Sequence, residues 1–139
     1  MPKRKKIIFV CIGNSCRSQM AEGFLRHWGG DKFEAFSAGS HPAGFVHPKT
    51  IEVMREKGID ISTQHSKGLE DVPLEEADVV ITMGCCSIEE VCPVTYAGDE
   101  RDWDIADPIG QPIEVFREVR DDIERRVREL VGELSKEKG

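Results

Sequence analysis

The chain has 139 residues, 39% hydrophobic and 32% charged, with a formal net charge of −7. That length suits a single domain over residues 1–139 built on one core, and the acidic balance excludes nucleic acid, whose binding needs clustered basic residues beyond the Lys3-Arg4-Lys5-Lys6 run. No long apolar run or signal peptide appears, so a cytoplasmic protein without membrane association is expected.

Ile7-Ile8-Phe9-Val10 reads as a buried first strand. Met20, Ala21, Phe24, Leu25 and Trp28 then recur at helical spacing, and Gly29-Gly30 stops that helix. Phe33 to Ala38 is a second strand; Pro48 in a first turn and Gly58 past a last one bracket a helix that carries Ile51 and Met54 inward. Val79-Val80-Ile81-Thr82-Met83 is a buried, β-branched third strand. A long irregular stretch runs from Gly84 to Gly110, with a short strand near Trp103. The last helix carries Phe116, Val119, Ile123, Val127, Leu130 and Leu134 on one face and charges on the other. This α/β alternation implies a parallel sheet sandwiched by helices, with the active site at the carboxyl ends of strands. Cys11 falls at such an end.

The segment Cys11-Ile12-Gly13-Asn14-Ser15-Cys16-Arg17-Ser18 joins the first strand to the first helix. Gly13-Asn14-Ser15 allows unusual backbone angles, and a helix starting near Arg17 makes successive N–H groups converge on one point, a hole fit for phosphate, arsenate or sulfate. Arg17 can grip two anion oxygens in a fork, which a lysine cannot. The same positive field favours a thiolate at Cys11, ready to attack in line. A cysteine and an arginine six apart also occur by chance in strand-to-helix turns, where the cysteine is only a small buried hydrophobe. The preceding strand, the internal glycine, Ser18 and the helical pattern that follows together favour the anion site.

Five cysteines without a secretory signal point to redox or metal chemistry rather than a static disulfide scaffold. Cys85, Cys86 and Cys92 lie in a loop directly after the third strand, and parallel strands bring that loop to the edge that holds Cys11. Three readings apply: buried apolar thiols, a zinc site, or a relay of thiol exchange. Zinc is disfavoured because neither loop has C-x2-C spacing and Arg17 would repel the metal, which leaves the relay as the sharper reading. Asp107, followed by Pro108, is either an ordinary turn or a carboxylic acid placed opposite the nucleophile to protonate a departing oxygen. His27, His41, His47 and His65 show no ligand spacing and suit surface or capping positions. No nucleotide, nicotinamide or flavin fingerprint is present, so no cofactor is expected.

Val10 to Ser18, Ser37-Ala38-Gly39 and Asp107-Pro108 resemble the low-molecular-weight protein tyrosine phosphatase superfamily across nearly the whole chain. Ser18 to Gly23 and Cys85 to Pro93 resemble, within it, the thioredoxin-coupled arsenate reductases. The resemblance implies a four-stranded parallel sheet flanked by helices. It implies arsenate held by the loop amides, Arg17 and Ser18, attack by Cys11, and protonation of the departing hydroxyl by Asp107. A second thiol, Cys85 by position, would form Cys11–Cys85; Cys92 would then form Cys85–Cys92, which thioredoxin or a similar dithiol protein reduces. Because Cys85 and Cys86 are adjacent, either can be the second thiol. Asn14 would lock the loop and Ser18 donate to the Cys11 thiolate, besides serving as turn former and helix cap; Cys16 is a packing residue able to form an off-path disulfide. Some relatives bind potassium through an Asn, a Glu, a Ser and an Asp. Asn14, Glu22 and Ser37 match, but Lys67 stands where the Asp would be and its ammonium replaces the ion, so no metal is expected. Phosphatase relatives follow Asp-Pro with aromatic residues, where this chain has Ile109-Gly110. A phosphatase acting through a phosphocysteine at Cys11 is therefore the alternative. A monomer is expected.

Overall fold

A computed structural model describes residues 4–84 and 98–135. Its sheet has four parallel strands, β1 (Lys5–Cys11), β2 (Phe33–Gly39), β3 (Val79–Thr82) and β4 (Asp99–Asp102), in the order β2-β1-β3-β4. Three α-helices among the described residues, α1 (Arg17–Gly29), α2 (Pro48–Arg55) and α3 (Ile113–Ser135), complete the framework. Short 3-10 turns at Gly30–Lys32, Leu69–Asp71 and Leu74–Glu76 join them.

Central strand β1 explains why its sequence is apolar without alternation. Ile7 and Phe9 pack with α1, α2 and α3 on one face, while Ile8 and Val10 pack with Val72, Ala77 and Val80 on the other. All four are fully buried, and each such side chain contributes about 2 kcal/mol. α3 buries Phe116, Val119, Ile123, Val127, Leu130 and Leu134, the stripe its sequence spacing predicts.

Some details differ from expectation. In α2 it is Val53 and Met54 that are buried, with Ile51 only partly so. Trp28 is 41% exposed rather than inward: the Arg128 guanidinium lies 4.5 Å from its ring centroid and its Nε1 donates to Glu124 at 3.2 Å. The short fourth strand lies just before Trp103, which packs its ring 5.7 Å from that of Phe9. Two registers position the site. Cys11 pairs with Gly39 at the carboxyl ends of β1 and β2, and Val10 pairs with Thr82 of β3.

Candidate active site

β1 delivers Cys11, 3% exposed, into the loop that ends at the start of α1. Every carbonyl from Cys11 to Cys16 is turned to a partner outside the loop's concave side. Cys11 O accepts from Ser40 N at 3.2 Å, Ile12 O from His41 N at 2.8 Å, and Gly13 O from Ala43 N at 2.9 Å. Asn14 O accepts from Gln19 Nε2 at 3.1 Å, and Ser15 O and Cys16 O accept from His47 N and Met20 N at 3.0 Å each. In a trans peptide the N–H points opposite to the carbonyl, so this outward set of carbonyls directs the amides of the loop inward. Such a nest of N–H groups at a helix start is an anion receptor.

The strained position is Asn14, with φ 49°, the one non-glycine residue in the left-handed region among the described residues. That conformation costs on the order of 1 kcal/mol, and the Asn14 side chain is bonded on both ends to hold it. Lys67 N–H can only donate, so it fixes Oδ1 as its acceptor at 2.8 Å. The Asn14 amide NH2 must then face Ser18, and Nδ2 donates to Ser18 Oγ at 2.8 Å. Ser18, thus engaged as an acceptor, has its hydroxyl hydrogen available for Cys11 Sγ, 2.8 Å away. The Ser18 hydroxyl thus holds the Cys11 sulfur in place. Ser18 is therefore not a helix cap: the cap position of α1 is Cys16, which makes no side-chain cap bond. Gly39 is required beneath the loop, because a Cβ there would lie 2.5 Å from Ile12 O and 2.9 Å from Asn14 N.

Arg17 is 4% exposed. Its Nη1 donates to Met83 O at 2.6 Å and to Ile105 O at 3.0 Å, and its Nη2 lies 3.7 Å from Asp107 Oδ2. The guanidinium is thus braced by the ends of β3 and of the Asp107 loop. Asp107 Oδ1 accepts from Ile109 N at 3.1 Å, closing the Asp-Pro turn, and the residue also lines a pocket of about 120 Å³ with Cys11, Gly13, Ser15, Cys16 and Arg17. Ile12 and Ile109, 44% and 50% exposed, form an apolar rim with Ala43 where an aromatic wall would stand.

Cys16 shares the loop with Cys11 but not its surroundings. Burial pushes the Cys16 thiol up, so at neutral pH it is protonated and packs in the core. Cys85, Cys86 and Cys92 lie outside the described residues. His47 caps α2, its Nδ1 accepting from Lys49 N at 3.1 Å. Beneath the loop, Glu22 of α1 is 2% exposed; Ser37 Oγ donates to its Oε1 at 2.5 Å and Lys67 Nζ lies 3.4 Å from the same oxygen. Three contributors were not singled out from sequence. Gln19 bonds Asn14, Ser66 Oγ donates to Gly13 O at 3.0 Å, and the segment from Ser40 to His47 supplies the outer donors. Gln19, one turn into α1, was the legible one, since a buried amide there needs partners.

A family model described as low molecular weight phosphotyrosine protein phosphatase matches residues 6–139. The chain is 43% identical over 133 residues to a glutaredoxin arsenate reductase of Synechocystis sp., covering 94% of this chain and 99% of that protein. Among solved structures it resembles an arsenate reductase in the phosphate binding state, at 42% identity and TM-score 0.83 over 93% of this chain and 98% of that one. It also resembles the YwlE arginine phosphatase of Geobacillus stearothermophilus, at 30% identity and TM-score 0.76 over 94% and 93% of the two chains.

Proposed function

Since the chain belongs to the low molecular weight phosphotyrosine protein phosphatase family, and an arsenate reductase of known sequence and one of known structure are 43% and 42% identical to it, we propose that it reduces arsenate to arsenite at Cys11. The observation that carries this reading is the outward set of carbonyls from Cys11 to Cys16, with a sulfur at the head of the loop and Arg17 at its foot. Arsenate enters the pocket against the loop amides, with Arg17 and Ser18 on its oxygens. Cys11 thiolate attacks arsenic, and Asp107 gives its proton to the departing hydroxyl, which leaves as water. Ser18, itself accepting from Asn14 Nδ2, keeps its hydroxyl on the attacking sulfur.

The second thiol, Cys85 or its neighbour Cys86, attacks Cys11 sulfur. The S–As bond breaks with its electron pair staying on arsenic, which leaves as arsenite, two electrons richer, and a disulfide forms. Cys92 then attacks the second thiol, freeing Cys11 and leaving a bridge to Cys92. A dithiol protein returns two electrons to that bridge; thioredoxin is the expected one, and the Synechocystis relative's name makes glutaredoxin the competitor. A chemistry that cycles free thiols belongs in a reducing compartment such as the cytoplasm.

A second reading is favoured by the likeness to the arginine phosphatase: phosphate-ester cleavage through a phosphocysteine at Cys11, since a loop shaped for one tetrahedral anion receives its near-isostere. One experiment separates the two. Fully reduced protein is mixed with arsenate and no other thiol, arsenite is quantified, and disulfides are mapped by mass spectrometry. Stoichiometric arsenite with a Cys85–Cys92 or Cys86–Cys92 bridge is expected; intact thiols without arsenite would leave the phosphatase reading. Adding thioredoxin or glutaredoxin then shows which one sustains turnover.

A further inference from the structure

Five of the six outward carbonyls of the anion loop are held by backbone N–H groups, which almost any sequence would supply, and Asn14 O is the exception. Its partner among the described residues is a side chain, Gln19 Nε2, at 3.1 Å. Gln19 is fully buried, and its amide can face only one way. Nε2 also meets His65 O at 2.8 Å and Asn14 Oδ1 at 2.9 Å. Main-chain carbonyl oxygens only accept, so the NH2 must lie on this side. One of its hydrogens goes to His65 O and the other is shared by the two oxygens of Asn14. On the far side Gln19 Oε1 accepts from Gln64 Nε2 at 2.7 Å, so both polar ends of the amide are engaged. The peptide held in this way is the one between Asn14 and Ser15, next to the left-handed φ of 49° at Asn14.

We propose that Gln19 is a positioning residue for the anion receptor: its side-chain N–H holds Asn14 O outward and so keeps the Ser15 N–H pointed into the pocket, where it binds an oxygen of arsenate or phosphate. Without that donor a buried carbonyl is left unpaired. Rotation of the single peptide between residues 14 and 15 lets it meet water in the pocket. The same rotation withdraws the Ser15 N–H and turns a carbonyl dipole toward the anion. The Asn14 side chain is not released with it, because Lys67 N still donates to Oδ1 at 2.8 Å and Nδ2 still donates to Ser18 Oγ. The effect therefore falls on capture of the tetrahedral anion rather than on the Ser18 contact to Cys11 sulfur.

The inference rests on the anion loop of the function proposed above, and inorganic phosphate tests it apart from reduction. In the reduced full chain labelled with nitrogen-15 serine, the Ser15 amide proton should move downfield as phosphate is added. In Gln19→Met, which keeps the length of the side chain and loses its donors, that shift should vanish. The phosphate Kd by calorimetry should rise about ten-fold, and the half-saturating arsenate concentration in single turnover should rise with it. Gln64→Met removes the other end of the same amide pair without touching the loop, and should move the phosphate Kd less than about two-fold even where it lowers the melting temperature. An unchanged phosphate Kd or a retained Ser15 shift in Gln19→Met, or an equal loss of affinity in Gln64→Met, would overturn the assignment. Should Gln19→Met not fold, Gln19→Asn, an amide one methylene too short to reach Asn14 O, is judged by the same shift and Kd. Phosphate binding with the Ser15 shift in the unaltered protein, but no arsenite from arsenate, would sink the reductase reading alone.

Discussion

The carboxyl end of the sheet and the outer face of α3 use the same kinds of polar side chain to different effect. At the loop, Arg17, Ser18, Asn14 and Glu22 are at most 4% exposed, and their partners include backbone atoms of distant elements. Along α3, Arg125 and Arg126 share Asp122, and Arg117 grips Glu56, in pairs that water reaches. Burial removes the alternative partner that water offers. Each loop contact is therefore determinate, whereas each α3 pair competes with solvent. Changes at the loop should alter chemistry, and changes on α3 should alter stability slightly.

Cys11→Ser is the severest test of that contrast and should abolish arsenate reduction together with any phosphatase activity, with the fold intact by circular dichroism. Next is Arg17→Lys, which loses the fork and one of the braces to Met83 O or Ile105 O; single-turnover rate should drop about 100-fold. Gly39→Ala forces a Cβ against Ile12 O, and urea unfolding should show a loss of about 2 kcal/mol. On the other side of the comparison, Arg101 joins Asp99 of β4 to Glu133 of α3, with Nη2 2.8 and 2.7 Å from their carboxylates. Arg101→Met should cost no more than about 1 kcal/mol in the same assay and leave arsenate turnover unchanged. A larger loss would mean that this surface network is as determinate as the loop.

The smallest effect is one of pH. Arg117 beside Glu56 holds its carboxyl down to about 2 from an ordinary 4.5. The folded value lies below the unfolded one, so the stabilisation is full above about pH 4.5 and is lost as pH falls toward 2. The melting temperature of the native protein should decline across that window more steeply than that of Glu56→Gln.

What the sequence disclosed divides along similar lines. The α3 stripe and the unbroken apolar run of β1 were legible because burial on one face or on two leaves a periodic mark. β4 left a fainter one: a short strand was expected near Trp103, but Asp99-Glu100-Arg101-Asp102 has no apolar alternation to bound it, and the strand exists through its pairing with β3. Trp28 kept helical spacing yet lies outside, under Arg128. Around the loop, residue type disclosed Cys11, Arg17, Ser18 and Asp107. It did not disclose that the left-handed angle falls on Asn14 rather than Gly13, since both types tolerate it. The outward carbonyls were hidden as well, for their donors at Ser40, His41, Ala43 and His47 are backbone N–H groups that any side chain would carry.

β4 also bears on how the molecule meets its own copies. Its outer side has no neighbouring strand among the described residues, and Asp99, Glu100 and Asp102 are exposed, with Arg101 partly so. A strand arriving there would have to strip water from charge after charge, and an in-register parallel copy would set each charge against its like. The row of ions that blurred the bounds of this strand thus also serves as a guard rail, halting growth of the sheet by edge-to-edge addition.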